Sequence, residues 1–535
     1  MHDLEVYFLL IAVIIIVSFI ANKVKIALPI LLMITGLFIG FCSNDALVSV
    51  SPEMVFLIFL PPLLFEAAFT VSWHEFKAFR SPIFFLAIGL VIFTALCVAF
   101  TVHFLIPEFS LLSGLLLGAI VAPPDAIAAT SVTKNLPVPK HISIILEGES
   151  LVNDASSLIL YQFALLAITS GKLSWINLPL NFIVMAGGGV VLGLCASFIF
   201  IRLLKKLEEA TIVTVISLLL PLIIYITAEK LHISGVLAVV SCGLHLSWYV
   251  SEITSFQIRF KLKEFWDVLI FVFNGIIFIL LGLQLPELTK QFASQQLWHL
   301  ILYGLIISLV VILARIIWVF PMAHINIALH NRYSKTKIVV RRDLNKYLFI
   351  IAWSGMRGMV SLAIAMALPL TLLDGSLLPE RNEIVLLAFI VISVTLLLHG
   401  LSLPLLIKKL KLTPDYEERI ELERKLRQQL FIESLEYLDN ELINYYPSTV
   451  IDDVKQRIVD ELNYHVVEES ITKEYIGQRL RAIEELIAFQ HKLLRDLHRS
   501  YDYGSTDIIR KIEADIDVHS LLIYSKLNGG VQNSH

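Results

Sequence analysis

Three carboxylates fall within eight residues of an otherwise apolar segment, in the run Glu147-Gly148-Glu149-Ser150-Leu151-Val152-Asn153-Asp154. Acids at such a depth cost about 3 kcal/mol each on insertion scales, and they mark ion or proton pathways by default. A carboxylate in a partly dehydrated cavity can hold either a proton or a hard cation, the latter with help from hydroxyl and carbonyl oxygens. One site that takes a proton or a cation, but never both, couples the movements of the two. On a helix, Ser150 and Asp154 lie four residues apart along one strip, as do Glu149 and Asn153. Glu149 and Asp154 are five apart, about 140° around the axis, so the two acids face different neighbours.

Three further segments carry charge at the same level. Counting about 1.5 Å per residue from each expected helix start puts Glu66, Asp125, Asp154 and Arg357 all about 15–21 Å deep. Asp125 follows Ala122-Pro123-Pro124, and Arg357 sits in Ser354-Gly355-Met356-Arg357-Gly358. Paired prolines remove two backbone donors, and paired glycines loosen a helix, so both segments are expected to be broken. Interrupted helices at matching places in two halves of a membrane protein point to its binding site. A buried arginine cannot shed its proton, so Arg357 is expected to form a fixed ion pair with Glu149. That leaves Asp154 for the chemistry, with Ser150, Asp125 or Glu66, and carbonyls freed near Pro123-Pro124 as further oxygen ligands. Glu147, two turns below Asp154, is expected to line the way in.

The elements that position these residues are membrane helices. The chain has 535 residues, 57% hydrophobic and 16% charged, against about 25% charged in soluble domains. Its mean hydropathy is +0.78. About thirteen apolar segments are expected, at 4–21, 26–41, 52–71, 83–106, 111–134, 142–169, 178–204, 211–228, 231–250, 265–285, 299–323, 347–370 and 383–407. Loops after odd-numbered segments are rich in lysine and arginine, as at Arg202, Lys205 and Lys206 or Lys408, Lys409 and Lys411. Loops after even-numbered segments hold only Lys172, Lys230, Lys290 and Arg381. The positive-inside rule then places the N-terminus outside and the C-terminus in the cytoplasm. Six segments on either side of a connecting seventh suit an inverted repeat, with the fifth member of each half broken.

The expected fold class is therefore an all-α polytopic membrane protein spanning 1–411, followed by a cytoplasmic helical domain over 412–535. From Thr413 onward the chain has 24 acidic and 15 basic residues, with leucines repeating at Leu422, Leu426 and Leu430. The tail reads as regulatory, as a dimer contact or as a solvated helical extension. Nothing in the charge pattern suggests nucleic acid. The N-terminus lacks a basic n-region and cleavage site, so its first apolar run is expected to be retained.

Weaker candidates are read as structural. Arg315 lies near the cytoplasmic end of its expected segment and should snorkel. His103, His245 and His399 are isolated interior histidines. Gly36-xxx-Gly40 and Gly114-xxx-Gly118 are close-packing signals. Gly187-Gly188-Gly189 follows no strand, which excludes a nucleotide loop. Cys42, Cys97, Cys195 and Cys242 share no metal spacing and read as buried thiols.

At Glu149 to Asp154 the chain resembles the monovalent cation:proton antiporters of the Na⁺/H⁺ exchanger type, especially bacterial NhaP-like members, whose G-E-S-L-x-N-D motif it matches. Leu60-Pro61-Pro62-Leu63-Leu64-Phe65-Glu66 resembles that family's L-P-P-x-x-x-[DE] helix, and Gly355-Met356-Arg357-Gly358 its G-x-R-G segment. The resemblance implies a bacterial cell-membrane antiporter, not an enzyme, that exchanges cytoplasmic Na⁺, or Li⁺, for external H⁺ in pH and sodium homeostasis. It implies a site of Asp154, Asn153, Ser150, Asp125 and Glu66, a buried Glu149–Arg357 pair, a homodimer and no cofactor. Asn153 before Asp154, in place of a second acid, resembles the electroneutral branch. One departure is Pro124-Asp125-Ala126, where the family often has Thr-Asp-Pro or Val-Asp-Pro. Potassium is the alternative cation; a channel or transporter-derived sensor is the alternative class. An intramembrane aspartyl protease does not fit, because neither Asp125 nor Asp154 has a Tyr-Asp or Gly-x-Gly-Asp context.

Overall fold

The computed structural model describes residues 2–24, 27–42, 57–71, 73–125, 138–170, 178–207, 209–253, 256–333, 343–366, 368–371 and 378–410, with a few further residues between 432 and 456. The chain divides into two compact units, Met1–Asp415 and Tyr416–His535. In the second, the described residues form a helix over 432–440 and a 3-10 turn at Leu442–Asn444. The leucine repeat at Leu422, Leu426 and Leu430 lies outside the described residues, as does the continuation of the fifth segment after Asp125.

The first unit is helical, with no β-strand among the described residues. In chain order its helices are α1 (His2–Val24), α2 (Leu28–Cys42), α3 (Leu60–Thr70), α4 (Trp73–Ala78), α5 (Arg80–Leu105), α6 (Leu111–Val121), α7 (Lys140–Ser170) and α8 (Leu178–Leu204). They continue with α9 (Ala210–Lys230), α10 (Gly235–Ile253), α11 (Phe256–Lys290), α12 (Ser294–Tyr333), α13 (Leu344–Trp353), α14 (Met359–Met366) and α15 (Arg381–Leu410). Among the described residues, seven stretches are long and apolar enough to cross a bilayer, α5, α9 and α15 being three of them. Large apolar side chains cover the outside, with Phe19, Phe38, Phe104 and Leu405 all strongly exposed. Such a surface is stable only against hydrocarbon, so the unit is a multi-pass membrane protein.

Small residues set the closest approaches. Gly36 and Gly40 of α2 abut the α11 backbone at Ile279 and Leu283, while Gly114 and Gly118 of α6 abut α5 at Ala99 and Ala95. A π-type turn interrupts α5 at Phe85–Leu90, and the Trp318 indole donates to the Phe85 carbonyl at 3.1 Å. The thiols depart from expectation. Cys242 is buried, but Cys42 and Cys195 are exposed, because each falls on the outward side of a helix whose whole circumference is apolar. Hydropathy alone does not tell lipid-facing from core-facing positions in such a helix.

Candidate functional site

The site forms where two helices stop inside the bundle. Pro123 and Pro124 have no N–H to continue α6, which ends at Val121 and leaves its last carbonyls to find other donors. Each finds one. Ser157 Oγ donates to Ala119 O at 2.7 Å, and Arg357 Nε to Val121 O at 3.1 Å. Asn153 Nδ2 donates to Pro124 O at 2.9 Å, while longer contacts join Arg357 Nη2 to Ala122 O and Ser361 Oγ to Pro123 O. The second break, 354–358 between α13 and α14, crosses here, and the Asp125 N–H donates to Met356 O at 2.7 Å. Gly358 is required at the crossing, because any Cβ there would overlap the Asp125 carboxylate.

Arg357 therefore does something other than expected. Its guanidinium caps the carbonyl end of α6 and also donates to Gly355 O within its own break. A cation at a helix C-terminus is favoured by the partial negative charge there, by up to about 2 kcal/mol when partly buried. The partner of Glu149 is Arg315. Its Nη1 and Nη2 donate to Glu149 Oε1 and Oε2 at 2.5 and 2.8 Å, a bidentate pair in which both side chains are 1% exposed. Nε and Nη2 of Arg315 also donate to Ile351 O at 3.2 and 3.1 Å. The expected Glu149–Arg357 pair is thus replaced by Glu149–Arg315, and the expected snorkelling of Arg315 does not occur. The reason is orientation: Arg315 turns into the bundle, where it is 1% exposed and its donors are held by Glu149 and the Ile351 carbonyl. The two guanidiniums meet at Gly355, where a Cβ would strike both.

Asp154 faces the other way. It lines a cavity of about 190 Å³ together with Glu66, Asp125, Ser150 and Glu147, walled by Leu63, Pro124 and Ser361. Four of the five expected site residues thus meet around one space, and Glu147 lines it with them. Asn153 does not line it. Fully buried, its amide nitrogen is spent on Pro124 O, and its Oδ1 has no partner among the described residues. No arginine or lysine pairs with Asp154 among the described residues, so the acid is left available to the cavity. The carbonyls of Pro123 and Pro124, expected as ligands, already accept from Ser361 and Asn153. Ser157, Ser361 and Arg315 were not singled out as site residues. For Ser157 a signal existed: Ser150, Asn153, Asp154 and Ser157 form one i, i+3, i+4, i+7 polar stripe.

The chain as a whole has known counterparts. The family model for the transmembrane sodium/hydrogen exchanger matches residues 9–409. The chain belongs to that family. It is 32% identical to a sodium, potassium, lithium and rubidium/H⁺ antiporter of Bacillus pumilus over 75% of this chain, but the match spans only 60% of that relative's length. It is 28% identical to an uncharacterised Na⁺/H⁺ exchanger, YjcE, of Escherichia coli over 97% of this chain and 99% of that one. Among solved structures, the sodium proton antiporter MjNhaP1 of Methanocaldococcus jannaschii superposes with a TM-score of 0.61, covering 77% of this chain and 99% of that one at 21% identity. That likeness shows the fold. Membership places Glu149 to Asp154 and the two helix breaks within the matched exchanger region.

Proposed function

We propose that the protein is a secondary antiporter that exchanges cytoplasmic Na⁺ or Li⁺ for external H⁺ across a bacterial cell membrane. The observation that carries this reading is the convergence of Asp154, Ser150, Asp125 and Glu66 on one cavity inside an exchanger-family bundle. Asp154 is the exchanging carboxylate. With a proton it presents a neutral group; without one it presents an oxyanion to a cation, which Ser150 and the neighbouring acids help to dehydrate. The two states exclude each other, so a cation leaves only as a proton arrives.

Charge bookkeeping favours electroneutral exchange. The second acid of the run, Glu149, is held by Arg315, and position 153 is an amide bonded to the backbone. One carboxylate then carries one positive charge in each half-cycle. The broken ends of α6 and of the 354–358 segment move with α7 as a core, and the N-terminus lies outside as the loop charges indicate. We read the functional unit as a homodimer with an inverted repeat, and Tyr416–His535 as its cytoplasmic helical tail. Potassium is the second reading, because the Bacillus pumilus relative's name includes it. Everted vesicles carrying the protein test both. Added Na⁺, Li⁺ or K⁺ should dequench a trapped pH probe, and the cation that does so at the lowest concentration is the substrate. Asp154→Asn should abolish the response at undiminished protein level. Full exchange by that variant, or cation flux uncoupled from protons, would overturn the assignment, the latter in favour of a channel.

A further inference from the structure

A second cavity lies on the opposite side of α7. It has a volume of about 660 Å³ between α7, α8 and α10, with Phe76 of α4 and Phe84 of α5 at one end. Its walls are mostly apolar, from Val152, Ala155 and Ile159 of α7 to Ala186, Val190 and Leu194 of α8, and the polar Ser241 and His245 are bonded to Ala238 O and Ser197 Oγ. Close-packed interiors do not keep voids of this size empty, and a site with so few polar partners does not hold ordered water. Along α10 the lining runs from Leu237 to Trp248, which at 1.5 Å per residue is about 17 Å. That is close to the ~15 Å hydrocarbon depth of one leaflet.

The two ends differ. The deep end is apolar, at Leu237, Ala186 and Ile159. The other end carries Trp248 and Tyr249, side chains that favour the membrane–water boundary, and lies on the side that the loop charges place in the cytoplasm. Lys77 and Arg80 are exposed beside Phe76 and Phe84. The nearby acid, Glu75, is neutralised by its salt bridge to Lys140, which leaves Lys77 and Arg80 as exposed cations beside this end. An apolar slot one leaflet deep with a cationic mouth is complementary to an anionic lipid.

We propose that this slot holds one acyl chain of an acidic phospholipid from the cytoplasmic leaflet, with its headgroup at Lys77 and Arg80. The lipid sits between α7 and the pair α8 and α10. Ala155 and Ser156 wall the slot while the adjoining Asp154 walls the cation cavity, so a single helix separates the two. The occupant sets the spacing at which α7 rides against its neighbours.

The test is binding, and it stands whether or not the other cavity exchanges cations. The full chain is reconstituted in phosphatidylcholine vesicles doped with phosphatidylglycerol or phosphatidylcholine brominated on the acyl chain, which quenches nearby tryptophan. The Trp248 signal is taken as the difference between the wild type and Trp248→Phe. Brominated phosphatidylglycerol should quench it severalfold more strongly than brominated phosphatidylcholine. Lys77→Gln with Arg80→Gln should erase that preference, and Ala186→Phe, which fills the slot, should reduce quenching to the phosphatidylcholine level. Val190→Phe, on the same wall, gives an independent filled slot, and size-exclusion profiles report folding for each variant. Equal quenching by the two lipids in the wild type, or quenching unmoved by both filling substitutions, would overturn the proposal. A brominated free fatty acid that quenches equally well in the Lys77 and Arg80 variant would also do so, by assigning the slot to another source.

Discussion

Glu149 and Asp154 stand five residues apart on α7, yet their surroundings are opposite. Glu149 is locked in a dry bidentate pair with Arg315, beside a second guanidinium whose donors are taken by backbone carbonyls. Asp154 opens onto a cavity shared with Glu66, Asp125 and Ser150, and no basic side chain among the described residues neutralises it. Burial of charge by itself does not mark a working group. A buried acid with a permanent cation holds a structure together; a buried acid without one has to be neutralised by something that comes and goes.

Breaking the dry side should have the largest effect on folding. Arg315→Met or Glu149→Gln leaves a buried charge without its bidentate partner, at a cost of about 3–5 kcal/mol, whereas both changes together should recover much of it. Thermal melts and the yield of monodisperse protein in detergent report this, and equal losses in single and double variants would contradict the pairing. On the wet side the pattern reverses. Asp154→Asn should remove exchange entirely while leaving the melting temperature equal to or above that of the wild type, since a neutral amide is cheaper to bury than an acid.

Arg357→Lys probes the join between the regions. A lysine keeps the charge but offers its donors from one nitrogen, where Arg357 reaches the Val121 and Gly355 carbonyls from two, so stability should fall by about 1–2 kcal/mol. Exchange should fall with it, because the α6 end that carries Asp125 loses its cap. Unchanged stability with lost exchange would instead place Arg357 in contact with the ion. The smallest effect is expected outside the membrane. Glu380 adopts a left-handed backbone (φ 50°) and accepts from Ser113 Oγ at 3.0 Å. Burial, with Glu383 and Glu108 nearby, raises its pKa above the ordinary carboxylate value, against the Ser113 bond. The folded state therefore holds this proton more tightly than the unfolded one, and its contribution to stability is lost as pH rises through the folded pKa. Between mildly acidic and neutral pH, the melting temperature of Glu380→Gln should drop less than that of the wild type.

Much of the wet side was legible in the chain. The polar strip of Ser150 and Asp154 follows from a period of 3.6 residues, and the two helix breaks follow from Pro-Pro and paired glycines. Each is a local rule. The partner of Glu149 was not legible, because it depends on how α12 is turned against α7. Packing gives the carboxylate to Arg315 and leaves Arg357 to the carbonyl end of α6 and to Gly355 O. The role of Asn153 was equally hidden. Spacing put it on the Glu149 strip, and only the crossing with α6 spent its amide on Pro124 O.

Composition and local spacing were enough by themselves to determine a helical membrane protein, its two interrupted segments and the strip of Ser150 and Asp154 that faces the smaller cavity. Those properties depend on single segments meeting water or hydrocarbon. The tertiary structure alone decided which cation neutralises Glu149, which donors close the end of α6, and that a second, apolar cavity lies behind Asp154. Pairings of this kind depend on helices distant in the chain, and a buried donor bonds to whichever acceptor packing brings within about 3 Å.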